Sequence, residues 1–346
     1  MSGRRDRRGT ARTWGAWTTA KLDALERYLQ QFTSASKNRA KRTLYLDLFS
    51  GSIDNTDRAT GEQRRGSAQI ALETTPAFSR LVLCELDPTK AQRLTDYVAQ
   101  QHPDRDVVVL QGDANQIIPA YLDDLARQDP DWRWAPTFAL IDQYSADVTW
   151  ATLEALSRFR YGSHKVELWM YFGDSFIRRG LSTGPGYERR VDALFGCDDW
   201  REIFEARRDG VLTPSDARDE YINLLRWRLQ HDLGYRRTIP LRVTRAANQD
   251  LYTMIFATDH DAGERIMTHI LGITQNSLIQ VQEQQRLRAK LERDARRAGA
   301  TGFELLNDWA LTQGESGSHA GELLRLDEPT TPWRYYPDDE TPSDGD

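Results

Sequence analysis

Five short apolar runs punctuate the first half of this chain, and helical stretches separate them. The runs are Thr43–Phe49 (TLYLDLF), Arg80–Glu85 (RLVLCE), Asp106–Leu110 (DVVVL), Thr137–Ile141 (TFALI) and Val166–Phe172 (VELWMYF). Each is too short for a typical helix and is apolar at consecutive rather than alternate positions, which predicts a strand covered on both faces. Between the runs, apolar residues return at helical spacing. One helix follows Gly66-Ser67 and carries Ile70, Ala71 and Leu72. A second opens at Asp87-Pro88, a cap and first-turn pair, and runs to Gln101. A third follows Gly112-Asp113 with Ile117, Ile118, Tyr121, Leu122 and Leu125, and a fourth lies around Ala151–Phe159. Strands alternating with helices make right-handed crossovers, so the fold class is α/β: a doubly wound, mostly parallel, Rossmann-like sheet.

The flanks extend this plan. Trp17, Leu22, Leu25, Tyr28, Leu29 and Phe32 place an amphipathic helix over about Thr19–Phe32, ahead of the first strand. After Phe172 come a loop at Gly180–Gly186, a short helix Glu188–Phe195, and a longer helix capped by Ser215 that stops near Gly234. Thr238–Val243 and Leu251–Thr258 read as strands closed by a short loop, hence an antiparallel hairpin at the sheet edge. Asp261–Leu271 is a helix, and Gln275–Arg297 is a long polar one with arginines from Arg286 onward. The expected organisation is a basic arm over residues 1–16, an α/β domain over 17–272, the polar helix over 273–300 and an acidic, weakly folded extension over 301–346.

Composition excludes several classes. The chain has 346 residues, 39% hydrophobic and 28% charged, as a globular domain requires. No apolar run approaches the ~18 residues of a membrane span. Charged residues precede no apolar stretch at the start, so a secretory signal is not expected and a cytoplasmic setting is. Two cysteines and six histidines without ligand spacing predict no metal site. The net charge of −6 conceals a basic start (Arg4, Arg5, Arg7, Arg8, Arg12) and an acidic end. That start is either a phosphate-binding arm or a solvated tail.

Chemistry is expected at the carboxyl ends of the strands, where open parallel sheets bind ligands. Four ends carry acidic or glycine-bearing turns: Asp47 to Gly51 with Phe49 between, Glu85 to Asp87, Gly112-Asp113-Ala114-Asn115, and Asp142-Gln143-Tyr144-Ser145. Glycine allows close approach of a ligand to the backbone. A carboxylate after the second strand suits ribose hydroxyls; one after the third suits an adenine amino group, with Ala114 or Asn115 beside the ring. Each acid has a plainer reading as a turn or cap residue. Cys84, inside an apolar strand, reads as core rather than as a nucleophile.

Four such ends in this order resemble a class I S-adenosylmethionine-dependent methyltransferase. More narrowly, the blocks WTTAKLDALERYL, YLDLFSGSIDN, TGEQRRGSAQIAL, LCELDP, LQGDANQ, FALIDQYS, FGCDDWREIF and LYTMIFATDHDAGERIM resemble, in order, the three-Cys-motif partner protein family from about Trp17 to Leu271. A more distant resemblance is to ribosomal-RNA adenine methyltransferases. The resemblance implies S-adenosylmethionine as cofactor, held by Asp47, Phe49, Gly51, Glu85, Asp87, Asp113 and Ala114, and a catalytic group of Asp142, Gln143 and Tyr144. It also implies a three-cysteine, radical-enzyme-like partner protein but names no substrate; the acceptor expected here is a nucleic-acid or nucleobase amine. Two positions depart from the family pattern. Ile53 replaces the second glycine of the first loop, and Gln143 replaces a turn-stiffening proline. A catalytically impaired scaffold for the three-cysteine partner is therefore the alternative expectation.

Overall fold

A computed structural model describes residues 16–53, 64–173, 177, 185–245, 249–277, 290 and 327–335. Residues 1–15 of the basic arm, 180–184 of the expected loop, the arginines of the polar helix, and Phe303 to Trp309 lie outside the described residues, while Pro185 and Gly186 belong to a helix rather than to that loop.

The elements follow the apolar runs closely. Helix α1 (Ala16–Ser36) precedes β1 (Leu44–Asp47), then α2 (Ser67–Glu73), β2 (Arg80–Glu85), α3 (Pro88–Gln101), β3 (Val107–Gln111) and α4 (Ala114–Gln128). A 3-10 turn, Pro130–Trp134, leads into β4 (Thr137–Ile141), α5 (Trp150–Phe159) and β5 (Glu167–Phe172). Then come α6 (Pro185–Phe195), α7 (Trp200–Arg208), α8 (Pro214–His231), β6 (Arg237–Arg245), β7 (Gln249–Thr258) and a final helix, α9, over residues 261–277.

The strands form one sheet in the order β3-β2-β1-β4-β5-β7-β6. The first five are parallel, while β7 runs antiparallel to both β5 and β6. The expected hairpin thus closes the sheet with β6 outermost, where Pro240, lacking an N–H, is tolerated. Period-two geometry divides each apolar strand between two cores. Leu46, Val82, Cys84, Ile141 and Met170 face α4 to α8. Tyr45, Leu83, Phe138, Leu140 and Trp169 face α1, α2 and α9. Cys84 is core, and burial pushes its thiol up to about 12, far from a nucleophile's range.

Two local details differ from the sequence reading. The sequence reading assigns no helix between Phe195 and Ser215, whereas α7 forms there, although Asp199 at its N-cap makes no side-chain cap bond. Ser215 does not cap α8. Thr213 does, its Oγ1 accepting from the Asp216 N–H at 3.2 Å while Asp216 Oδ2 accepts from the Thr213 N–H at 3.3 Å, with Pro214 in the first turn. Ser215 lies inside the helix that Pro214 begins. Among the described residues, no helix is long and apolar enough to cross a membrane, and no group of three or more His, Cys, Asp or Glu is placed to hold a metal ion.

Candidate functional site at the carboxyl edge of the sheet

Strand order reverses between β1 and β4: the chain builds outward from β1 to β3, then restarts on the other side. Helices after β1 and β4 therefore cover opposite faces, and a crevice opens between the two strand ends. An open cleft of about 710 Å³ lies there. With an antiparallel β7 inserted before β6, the arrangement is complete. The fold is a doubly wound, mostly parallel α/β sheet with an antiparallel edge hairpin.

Of the residues named from sequence, Phe49, Asp113, Ala114, Asp142 and Tyr144 line the cleft. Asp113 also caps α4, Oδ1 accepting from the Asn115 N–H at 2.9 Å. Asn115 ties two turns together: its Nδ2 donates to the Asp147 carbonyl at 2.8 Å and its Oδ1 accepts from the Thr149 N–H at 2.9 Å. Tyr144 is 72% exposed, and across the opening Leu86 is 66% exposed, so two large side chains stand at the mouth.

The remaining named residues shape the turns behind the walls. Asp47 is fully buried. It accepts from Ser67 Oγ at 2.7 Å, the Phe49 N–H at 3.2 Å and the Tyr45 hydroxyl at 3.3 Å. Burial raises its pKa to about 6, and those donors limit the rise. Gly51 adopts φ +69°, and the nearest atom to a Cβ built there is the Phe49 carbonyl oxygen at 3.9 Å, so the backbone remains approachable. Glu85, 8% exposed, accepts from the Asp87 N–H at 2.8 Å. Asp87 caps α3 through the Thr89 and Lys90 N–H groups. Ile53 packs against the α1–α2 side of the core.

Gln143 supplies by hydrogen bonding the rigidity a proline would have given. It is 2% exposed; its Nε2 donates to the Tyr171 carbonyl at 3.0 Å, and its Oε1 accepts from the Asp147 and Val148 N–H groups, both at 2.8 Å. The amide thus clamps the turn after β4 onto β5.

Three site residues escaped the sequence reading. Lys21 on α1 forms an ion pair with Asp142 through Oδ2, while Oδ1 makes no hydrogen bond among the described residues. Arg189 and Arg190 on α6 line the cleft, and Arg190 pairs with Asp147. The available signal was weak: an Arg-Arg pair and one lysine within amphipathic helices.

No family model matches the sequence, and no curated protein matches it. Among solved structures, the chain is similar to a protein of Legionella pneumophila, with TM-score 0.41 and 12% identity over 68% of this chain and 84% of that one. It is similar to DszA carbon methyltransferase, with TM-score 0.39 and 13% identity over 70% of this chain and 54% of that one. It is also similar to an O-methyltransferase from Bacillus cereus in complex with SAH, with TM-score 0.35 and 11% identity over 70% and 87%.

Proposed function

We propose that this chain binds S-adenosylmethionine at the carboxyl edge of its sheet and methylates an amine, that of a nucleobase or nucleic acid. The observation that carries the reading is Asp142. A fully buried strand delivers it to the cleft wall beside the switch in strand order, with Oδ1 unengaged among the described residues.

The residues fit the cofactor. The cleft lies within the ~300–1,000 Å³ of small-molecule sites, and its walls combine apolar, aromatic and acidic groups. Asp113 with Ala114 on the cleft wall would border the adenine, while the Gly51 turn and Glu85, set behind the wall, would take the methionine moiety and the ribose hydroxyls. When bound, S-adenosylmethionine supplies a methyl group already activated on a sulfonium, so the protein mainly has to position the acceptor. Asp142 Oδ1 accepts a hydrogen bond from the acceptor amine and fixes its lone pair. Lys21 holds the other carboxylate oxygen in place. Tyr144 offers a ring for stacking, and a base from a duplex has to be extruded to reach it. Arg189 and Arg190 give the rim positive charge for a phosphate.

A second reading keeps the fold as a scaffold that docks a three-cysteine-motif protein, as the family resemblance implies. The Lys21–Asp142 ion pair favours it, because an ammonium already occupies one oxygen of the acceptor carboxylate. Calorimetry with S-adenosylhomocysteine separates the two. Saturable binding that weakens about tenfold in Glu85→Gln supports the enzyme, since the ribose loses a charged acceptor worth ~1.5–3 kcal/mol. Absence of heat and of any thermal shift at millimolar ligand overturns it and leaves the scaffold.

A further inference from the structure

We propose that the cavity between α7 and α8 binds a small phosphorylated molecule, its phosphate taken by Arg207, Arg208 and Arg218. The cavity measures about 370 Å³ and shares no wall residue with the cleft at the carboxyl edge of the sheet. Its walls carry three guanidinium groups and no carboxylate.

Two carboxylates pair with members of this set. Asp209 pairs with Arg208 at 3.0 Å, and Asp219 is shared between Arg218 at 3.6 Å and Arg242 at 2.9 Å. Arg207 makes no hydrogen bond or ion pair among the described residues, and its Nε is enclosed without an acceptor. Cations in the last turn of α7 are favoured by the helix dipole, which accounts for Arg207 and Arg208 on helical grounds alone. Arg218 lies in the second turn of α8, where it pairs with Asp219 and its Nη2 donates to Ser215 Oγ at 2.8 Å, and the fold brings it to the other two.

Guanidinium forks match phosphate oxygens in pairs, which suits a convergent set of three. Phe204, Pro214, Ala217 and Tyr221 form the rest of the wall, a mostly apolar surface for an organic group. The volume falls in the small-molecule range of ~300–1,000 Å³ and exceeds what a lone phosphate fills. Nucleic-acid backbones, by contrast, follow extended grooves with repeated stacking platforms. The chemistry that fits is a phosphate monoester with a compact apolar or aromatic part.

The test is isothermal titration of the full chain with phenyl phosphate, inorganic phosphate and phenol at constant ionic strength. Phenyl phosphate should bind saturably, about tenfold more tightly than inorganic phosphate, with phenol silent. Arg207→Gln and Arg208→Gln should each weaken binding about fivefold or more without changing the melting temperature, as loss of one charge-assisted contact predicts. Saturating S-adenosylhomocysteine should leave the affinity unaltered, so this result stands or falls apart from the proposed methyl transfer. No saturable heat at millimolar phenyl phosphate overturns the site, as does unchanged binding in the Arg207→Gln/Arg208→Gln double variant. Equal affinities for the two phosphates overturn the organic subsite. Tyr335 hydrogen-bonds Asp209 at 3.1 Å, and the acidic stretch Asp338-Asp339-Glu340 follows it in sequence. Binding that emerges only on combined Asp338→Asn, Asp339→Asn and Glu340→Gln substitution would identify those residues as the occupant and overturn the small-molecule assignment.

Discussion

Lys21 and Asp142 stand 121 residues apart in the chain and meet as an ion pair at the carboxyl edge of the sheet. Both side chains are mostly shielded, at 14% and 27% exposure, so water screens the pair less than it would at the surface. The pairing joins the first helix to the turn after the central strand β4. It also divides the carboxylate, with Oδ2 held by the lysine.

Asp142→Ala should leave S-adenosylhomocysteine affinity within a few-fold, because Glu85, Asp113 and the Gly51 turn remain. Methyl transfer to an amine acceptor should fall about a hundredfold or more, equivalent to roughly 3 kcal/mol of transition-state stabilisation. Lys21→Met keeps Oδ1 but releases its partner oxygen, and a smaller loss of about tenfold is expected. Single-turnover transfer with labelled cofactor measures both. Equal rates for Asp142→Ala and the parent would remove Asp142 from the acceptor site.

Gln143 answers for the turn that follows. Removing its amide leaves the Asp147 and Val148 N–H groups and the Tyr171 carbonyl without their partner. Gln143→Leu should cost about 2–4 kcal/mol in urea unfolding, given ~1–3 kcal/mol for each buried group left unsatisfied and partial relaxation. Gln143→Pro should cost a similar amount, since a proline ring stiffens its own φ but reaches neither Tyr171 nor Asp147. A neutral result for Gln143→Pro would show that the turn is rigid without the clamp.

Asp47 should make stability depend on pH in an unusual direction for a carboxylate. Its pKa is raised by burial from 3.8 to about 6 in the folded chain. Between those values the folded state binds more protons than the unfolded one, so this group's contribution is full below about pH 4 and is lost as pH rises through about 6. Asp47→Asn removes that titration. Its stability relative to the parent should therefore increase between pH 4 and pH 6 by up to about 3 kcal/mol, a figure set by ~1.36 kcal/mol per pKa unit. Urea midpoints of the two proteins across that range measure it, and a flat difference would contradict the raised pKa.

At the start of α8 two hydroxyls compete as the cap, and the structure selects Thr213. Thr213→Ala should destabilise by about 1 kcal/mol, whereas Ser215→Ala should change stability by less than about 0.5 kcal/mol. Thermal melts of the two variants distinguish the positions directly.

Local signals in the sequence were enough for the strands, most caps and the fold class. Arg80–Glu85 and Thr137–Ile141 form strands with the boundaries read from their apolar runs, and Asp87 caps the helix that Pro88 begins. Such features depend on a handful of consecutive residues, so the chain carries them whatever it packs against. The polar residues are different. Asp47 and Asp113 look alike in sequence, each near the end of an apolar strand, yet Asp47 is sealed behind Ser67 of α2 while Asp113 lies on the cleft wall. Gln143 resembled a lost proline until Tyr171, 28 residues on, was brought alongside by the pairing of β4 with β5. Lys21 gained its role only when α1 folded across the edge of the sheet. Whether a polar side chain binds a ligand or braces a turn depends on which donors and acceptors the topology places within about 3 Å of it. That choice is made by contacts between distant segments, and only the tertiary structure contains them.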